Sequence, residues 1–185
     1  KVAAVNITGG KDKVQLQVAD ALIQGTDDIE IDDAVYDIKS CSPWAFTNKW
    51  SKGYAGLVED DPFGYIGQLV GYAEAKNKPP GGWIVVCKGT GRVKVVEFEG
   101  GQEEISARMK QLETTVTTIM SNAKFRRSFD PIDLKWRGKP TGQKVLCKTC
   151  EFCDYLGECW PKAKYLAHPN SEAKNPPHYW FVKDE

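Results

Sequence analysis

Side chains of the types that bind a divalent cation lie close together between residues 25 and 40. Asp28 and Asp37 carry hard carboxylate oxygens, which select Mg²⁺ or Mn²⁺, and Lys39 places an ammonium group two residues beyond Asp37. Two carboxylates held about 5 Å apart across a strand pair repel one another unless a cation lies between them. A lysine next to such an ion can hold a phosphate oxygen or orient an attacking water. The segment therefore predicts a metal site suited to phosphodiester hydrolysis; the alternative is a solvated acidic hairpin.

A β-hairpin is the element that would position these groups. Two strand-like runs, 29–31 and 35–38, flank the pair Asp32-Asp33, which interrupts them as a turn does. We therefore expect two short antiparallel strands joined at this pair.

The length of the hairpin loop decides which acid faces Asp37. With a two-residue loop Asp28 faces Asp37, and Lys39 shares that face because side chains two apart on a strand do so. A three-residue loop would bring Asp27 toward Asp37 and Lys39 instead. We favour the register that uses Asp28.

A helix is predicted to follow, from the acidic and proline-containing start at residues 60–62 to Lys76. Gln68 and Tyr72 are four residues apart and share one helical face with Tyr65 and Leu69. A glutamine and a tyrosine at this spacing are also common on ordinary amphipathic helices.

The second group of potential ligands is Cys147-x2-Cys150-x2-Cys153-x5-Cys159. Thiolates this close in sequence need a cation to offset their repulsion, and the C-x2-C-x2-C spacing is typical of iron–sulfur clusters such as [4Fe–4S]. A four-cysteine Zn²⁺ site remains an alternative, as does a cluster without metal. The clustering argues against a disulfide framework of a secreted domain.

Gly25-x-x-Asp28 followed by Asp37-Ile38-Lys39-Ser40 resembles the core of the PD-(D/E)XK nuclease superfamily in its RecB-like branch. The pair Gln68 and Tyr72 resembles the glutamine–tyrosine helix motif that this branch places beside its active site. The last three clustered cysteines resemble the C-terminal cluster motif of the same branch. That motif takes its fourth cysteine from far upstream, so Cys147 either replaces that ligand or is a bystander.

The resemblance implies a restriction-endonuclease-like mixed β-sheet flanked by helices and a metal-dependent DNA nuclease. Asp28, Asp37 and the carbonyl of Ile38 would bind Mg²⁺ or Mn²⁺, Lys39 would position water or phosphate, and Gln68 and Tyr72 would line the site. The chain is similar to exonucleases carried by tailed phages. Such a protein would act in recombination or replication in the host cytoplasm, with DNA and a recombination or replication protein as partners.

Composition is consistent with this interpretation. The 185 residues carry no net charge, yet residues 27–33 hold five acids, and residues 124–148 hold eight basic residues against two acids. A basic segment of this kind attracts phosphate, although ordinary surface variation can also produce it.

No apolar run approaches the ~20 residues of a membrane span, and no signal peptide opens the chain. We therefore expect a cytoplasmic protein.

The order of the remaining elements predicts an α/β fold. Strands are expected at 2–8, at 14–23, at 83–88 and at 93–98. A long helix is expected at 103–122, with a core stripe at Ile105, Met109, Leu112, Val116 and Ile119. The aromatic-rich connector at 40–59 either stacks bases or anchors itself to the core. The apolar run at 179–182 should dock as a last strand or as an arm.

We expect a nuclease core at residues 1–124 and a basic, cysteine-rich metal-binding segment at 125–185 packed on the same domain. The chain starts at Lys1 in a strand-like run, which suggests a fragment. The resemblance implies a further metal ligand on a helix ahead of the first core strand, and Asp20 is the only acid between the second strand's start and Gly25. Two other functions stay open: a nuclease-like DNA-binding domain without cleavage, and a zinc-stabilised interaction domain.

Overall fold

The mixed α/β architecture expected from the sequence is present in the computed structural model, which describes residues 7–8, 10–121 and 127–183. The chain divides into two units, residues 1–123 and 124–185. Lys124 and Arg126 of the basic segment, Asn122 of the predicted long helix and most of the predicted first strand lie outside the described residues.

The first unit holds a five-stranded sheet, a separate two-stranded sheet and the helices that cover them. Its elements are β1 (Ile7–Thr8), β2 (Lys13–Val18), β3 (Ala21–Thr26), β4 (Ile29–Ile31), β5 (Ala34–Cys41), α1 (Pro43–Asn48), a 3₁₀ turn (Trp50–Lys52), α2 (Gly53–Glu59), α3 (Tyr65–Lys76), β6 (Pro80–Cys87), β7 (Val93–Glu97) and α4 (Gln102–Met120). The five strands lie in the order β1-β4-β5-β6-β7, and β2 pairs with β3.

The hairpin β4–β5 has the predicted two-residue loop. Asp32 and Asp33 both have positive φ, 47° and 68°, which is the backbone of a type I′ turn and which aspartate tolerates better than most residues. Ile29 pairs with Tyr36, and Ile31 pairs with Ala34. The register that places Asp28 level with Asp37 is therefore confirmed.

Strand β5 continues the sheet as a parallel pair with β6, so the chain must cross over between them, and α3 belongs to this crossover. One face of α3 buries Ile66, Leu69, Val70 and Ala73 against β5 and β6. The core also holds the fully buried Trp83 of β6. The crossover fixes α3 against the strand that carries Asp37 and Lys39.

The prediction of one strand through residues 14–23 is wrong. The chain reverses at Ala19 and Asp20, and β2 and β3 form an antiparallel hairpin in which Val18 pairs with Ala21. Ala19 adopts φ 47°, an uncommon value for a residue with a side chain, and no glycine or asparagine signals the turn. Asp20 is exposed in this turn and does not lie on the strand face of Asp28.

The aromatic-rich connector is mostly helical. Ser42 caps α1 by accepting a hydrogen bond from the Ala45 N–H at 3.2 Å, and Pro43 occupies the first turn, where its missing N–H costs nothing. Phe46 and Trp50 are buried and anchor this segment to the core, whereas Trp44 is 72% exposed.

Two predicted helix boundaries shift. Helix α3 begins at Tyr65, because the Asp61 carboxylate accepts hydrogen bonds from the N–H groups of Tyr65 and Ile66 and so marks the start of the helix from outside it. Helix α4 ends at Met120. Val116 of the predicted core stripe is buried, but Ile119 is 52% exposed. The last turn of the helix therefore does not contribute its apolar side chain to the core.

The second unit is built on a four-stranded antiparallel sheet in the order β10-β11-β9-β8. Its elements are β8 (Ile132–Trp136), β9 (Lys139–Val145), α5 (Lys148–Glu151), α6 (Leu156–Cys159), β10 (Lys164–Ala167) and β11 (His178–Val182). The apolar run at 179–182 is therefore a last strand, one of the two forms that were expected. Across the described parts of both units, every helix is too short or too polar to cross a membrane.

Candidate functional site

The site begins where strand β4 ends. Ladder pairing between β4 and β5 reaches Ile29 and Tyr36, and beyond that point the Asp28 carboxylate takes the place of a strand partner. Its Oδ2 accepts a hydrogen bond from the backbone N–H of Ile38 at 2.8 Å. This bond fixes the Asp28 side chain beside β5 and leaves its other carboxylate oxygen for a further ligand.

Asp37 lies next to Asp28 and is buried, with 2% of its side chain exposed. Burial raises the pKa of Asp37, the Lys39 ammonium opposes this effect, and the negative charge of Asp28 adds to it. Lys39 Nζ lies 2.7 Å from Asp37 Oδ2, an ion-pair distance, but the two groups are not aligned for a hydrogen bond. Within the described residues Asp37 Oδ2 therefore has an ion-pair partner and no hydrogen-bond donor.

Lys39 connects the strand to helix α3. Its Nζ donates to Gln68 Oε1 at 2.7 Å, and Gln68 Nε2 donates to the Tyr72 hydroxyl at 3.1 Å. Because lysine can only donate, the atom of Gln68 that faces Lys39 must be the oxygen. The Lys39 ammonium also lies 4.8 Å from the centre of the Tyr65 ring, within the range of a cation–π contact.

Gly25 of strand β3 lies against the Tyr72 ring. A Cβ atom at Gly25 would come 2.7 Å from Tyr72 Cε1, closer than non-bonded carbons approach. The absence of a side chain at this position therefore lets Tyr72 occupy its place beside Gln68.

A second acidic cluster lies near the first and is filled by lysine. Lys76 Nζ lies 2.6 Å from Asp27 Oδ2 and 3.1 Å from Asp12 Oδ2, and it also contacts Glu30 Oε1. Lys78 contacts the other oxygen of Glu30. These two hydrogen-bonded ammonium groups lower the pKa of Glu30 despite its burial.

The potential ligand atoms of Asp12, Asp27 and Glu30 come within 4.8 Å of one another, and in the part of the chain that is described this is the one grouping of three such residues that could hold a metal ion. The cation at their centre is an ammonium group of the protein itself. The cluster is therefore an ion-paired clamp between α3 and the strands, and it carries no argument for a metal.

The four clustered cysteines surround the two short helices of the second unit. Cys147 precedes α5, Cys150 lies within it, Cys153 follows it and Cys159 ends α6. Cys147 Sγ lies 3.7 Å from Cys150 Sγ. Burial, the Cys147 thiol and the charges of Cys153 and Cys159 raise the pKa of Cys150 to about 11.

The cysteine arrangement fits a metal in part. Two sulfurs 3.7 Å apart can share one cation, and burial together with the neighbouring thiols raises the pKa of Cys150, an effect that a bound metal would oppose. Cys153 is exposed, and no three of the four cysteines form a grouping close enough to hold a metal ion in the described structure.

The comparisons with known proteins give no family for this chain. Neither the models of known protein families nor the curated proteins contain a match to it.

The structure brings together every residue that the sequence analysis assigned to the hydrolytic site. The backbone of Ile38 is present through its N–H bond to Asp28, while its side chain is 44% exposed. Two contributions were not anticipated from the sequence: the Tyr65 ring under Lys39, and the clamp formed by Lys76. The presence of Tyr65 on the helical face of Gln68 is a signal that could have predicted the first.

Proposed function

We propose that this chain is a metal-dependent deoxyribonuclease with a restriction-endonuclease-like core, of the PD-(D/E)XK class. The observation that carries the proposal is the continuous set of contacts from Asp28 through Asp37 and Lys39 to Gln68 and Tyr72. Two adjacent carboxylates and an ammonium group with its own positioning partners are the groups that phosphodiester hydrolysis needs. The mixed sheet, with its antiparallel hairpin, parallel pair β5–β6 and crossover helix, is consistent with that core.

The residues fit a Mg²⁺ or Mn²⁺ ion. Asp37 Oδ2 is buried, its ion-pair partner Lys39 is not aligned to donate a hydrogen bond to it, and the Asp28 carboxylate lies beside it. Two carboxylates with one ammonium group leave a negative charge in the site that a divalent cation would offset. Asp28, Asp37 and the Ile38 carbonyl would hold the ion. When bound, it would supply Lewis-acid stabilisation of charge on the phosphate and a lower pKa for a water molecule.

Lys39 would hold a phosphate oxygen or orient the attacking water. Its ammonium has three donors, of which Gln68 Oε1 accepts from one, while the contact with Asp37 is an ion pair. Gln68 and the Tyr65 ring hold the long Lys39 side chain in place before substrate binds. The loss of side-chain entropy on substrate binding is therefore smaller. Lys39 is 17% exposed and so remains within reach of a ligand.

Tyr72 adds a hydroxyl group at the edge of the site. Its oxygen accepts the hydrogen bond from Gln68, so this contact leaves the hydroxyl proton for another acceptor, such as a phosphate oxygen. A cavity of about 290 Å³ adjoins Gln68 and Tyr72 and is lined mainly by apolar side chains of β2, β3, α3 and α4. An apolar cavity next to phosphate-binding groups suits the sugar and base of the nucleotide being cleaved.

The test is cleavage of end-labelled single- and double-stranded DNA with Mg²⁺ or Mn²⁺ by the wild-type chain and by the Asp37→Ala variant. We expect metal-dependent cleavage by the wild type and none by Asp37→Ala, with the fold retained. The distribution of labelled products separates exonuclease action, which the resemblance implies, from internal cleavage. Asp20→Ala is a matched control, because it removes an exposed aspartate that lies in the β2–β3 turn, outside the hydrolytic site.

Cleavage by Asp37→Ala at the wild-type rate would remove the site assignment. Salt-sensitive DNA binding by the wild type without cleavage would instead select a nuclease-like DNA-binding domain. Stoichiometric Zn²⁺ without DNA affinity would select an interaction domain.

A further inference from the structure

The second unit carries a large concave surface that the hydrolytic site does not use. It is a groove of about 890 Å³, and the residues that line it include five basic side chains and no acid: Arg127, Lys144, Lys162, Lys164 and Lys183. Two aromatic rings, of Trp160 and Phe181, lie among them. We call this surface the basic groove.

The sheet register explains part of this convergence. Lys164 of β10 pairs with Phe181 of β11, so the two side chains emerge on one face of the sheet. Lys144 of β9 pairs with Val182, the next residue along β11, so it emerges on the opposite face of the sheet from Phe181 and lines the groove from there. Strands β9 and β10 thus each contribute one basic side chain to the groove, and the register places Lys164 beside the Phe181 ring.

Trp160 is held in place by Arg127. The guanidinium carbon of Arg127 lies 3.8 Å from the centre of the Trp160 ring, and Arg127 Nε donates to the Cys159 carbonyl at 2.9 Å. The arginine thereby places a positive charge on one face of the indole and anchors it to the backbone. The ring is half-buried, which leaves part of it accessible from the groove.

The charge of the basic groove is only partly offset within the unit. Lys144 forms an ion pair with Asp133 at 2.7 Å, while Lys162, Lys164 and Lys183 are exposed. A concave surface lined by one sign of charge concentrates ions of the opposite sign. The chain as a whole is neutral, so this groove is a local feature and not a consequence of overall composition.

We propose that the basic groove binds a single-stranded segment of nucleic acid. Lysine and arginine side chains along a groove bind the phosphate backbone. Exposed aromatic rings stack on the faces of bases, which are accessible in a single strand and covered by neighbouring bases in a duplex. That the nucleic acid is DNA rests on the proposed function; the binding itself does not require cleavage. A single strand is also a form of DNA that a nuclease takes as substrate or releases as product.

The test measures binding of a short fluorescein-labelled oligothymidylate, by fluorescence anisotropy over a range of salt concentrations, in the full chain carrying Asp37→Ala. The groove variant is Lys162→Ser/Lys164→Ser. Its matched control is Lys139→Ser/Lys174→Ser, which removes two exposed lysines of the same unit that do not line the groove. Circular dichroism verifies that each variant is folded.

We expect the groove variant to bind more weakly and to lose about 1.4 from the magnitude of the slope of log K against log salt, since each phosphate contact on a single strand contributes about 0.7. The control variant should keep the wild-type slope. Trp160→Leu should weaken binding at least about fivefold with little change of slope, and Trp160→Phe should restore most of it.

A second measurement uses the protein with all of its lysines and so does not depend on whether the groove variant folds. Lys162 and Lys164 should be protected from acetylation when the oligonucleotide is bound, and Lys139 and Lys174 should not. Equal binding by the groove and control variants, or equal protection of both lysine pairs, overturns the proposal. Equally tight binding of a duplex of the same length overturns the preference for single strands.

Failure of this inference is distinguishable from failure of the nuclease assignment. Metal-dependent cleavage by the wild type, with unchanged binding by the groove variant, overturns the groove alone. Oligonucleotide binding that depends on the groove in a protein without cleavage overturns the nuclease and supports the groove.

Discussion

Replacing Lys76 by methionine should remove a large part of the stability of the first unit. Methionine keeps the length of the apolar stem and deletes only the ammonium group, which contacts Asp27, Asp12 and Glu30. Asp27 is fully buried, and the Lys76 side chain is 13% exposed, so this ion pair is nearly shielded from water. Removing one partner of a buried pair costs about 3–5 kcal/mol, because it leaves an uncompensated charge.

That cost is a large share of the roughly 5–15 kcal/mol that stabilises an ordinary domain. With a urea dependence of about 2 kcal/mol per M, this loss corresponds to a drop of about 2 M in the unfolding midpoint. Urea unfolding followed by tryptophan fluorescence measures it. Lys78→Met is the matched control: Lys78 contacts Glu30 and the exposed Asp33, and Glu30 keeps its contact with Lys76 in that variant.

A double variant tests the reason for the loss. Asp27→Asn removes the buried charge but keeps an oxygen that can accept the hydrogen bond from the Asp12 N–H, which is 2.9 Å long with aspartate. Lys76→Met/Asp27→Asn should therefore be more stable than Lys76→Met alone. If Lys76→Met unfolds at the same urea concentration as Lys78→Met, or if the double variant recovers nothing, the clamp does not stabilise the unit as argued.

Three other outcomes are expected from the geometry of the two candidate metal sites and of Gly25. Because burial and Asp28 raise the pKa of Asp37 and metal binding requires the ionised carboxylate, metal affinity should fall with decreasing pH from a point above the usual aspartate range; calorimetric Mn²⁺ titration at several pH values checks this. Anaerobically purified protein should be brown with broad visible absorption, or colourless with stoichiometric Zn²⁺, and Cys150→Ser should lose that metal; a wild type without metal contradicts both forms. Gly25→Ala should slow cleavage without weakening metal binding, because its Cβ displaces the Tyr72 ring; an unchanged kcat would show that Tyr72 does not act in the site.

The parts of the fold that the sequence predicts well are those set by local rules. The β4–β5 hairpin follows from alternation and from two aspartates that tolerate positive φ. Helices α3 and α4 follow from the periodicity of their apolar residues. The partnership of Asp28 with Asp37 is therefore predictable from the sequence, because register alone decides it.

The parts that were predicted wrongly lack such signals. Ala19 takes a left-handed conformation inside an alternating run, and only the pairing of β2 with β3 compensates for it. The hairpin β8–β9 was not predicted, although Arg137 and Gly138 both have positive φ at its turn, and Gly138 is the residue type that such a turn favours. Helix α1 was not predicted, although Ser42 and the proline after it are typical of a helix start. Its aromatic residues were interpreted as part of a connecting segment.

The acid-rich stretch shows why composition alone cannot assign the site. Residues 27–33 carry five acids, which the sequence presents as one cation-binding end. In the structure these acids have different partners. Asp27 and Glu30 are buried and contact Lys76 at the end of α3 and Lys78 just beyond it, which are 46 to 49 residues away in sequence. The Asp28 carboxylate instead accepts a hydrogen bond from the Ile38 N–H beside Asp37. No local rule links residues so far apart in sequence, so the clamp could not be predicted. The clamp also affects the hydrolytic site, because the buried ion pair of Asp27 fixes the backbone next to Asp28. Asp27 and Glu30, which are held by Lys76 and Lys78, stabilise the fold, whereas Asp28 and Asp37 share the Lys39 ammonium and keep carboxylate oxygens that can bind a metal.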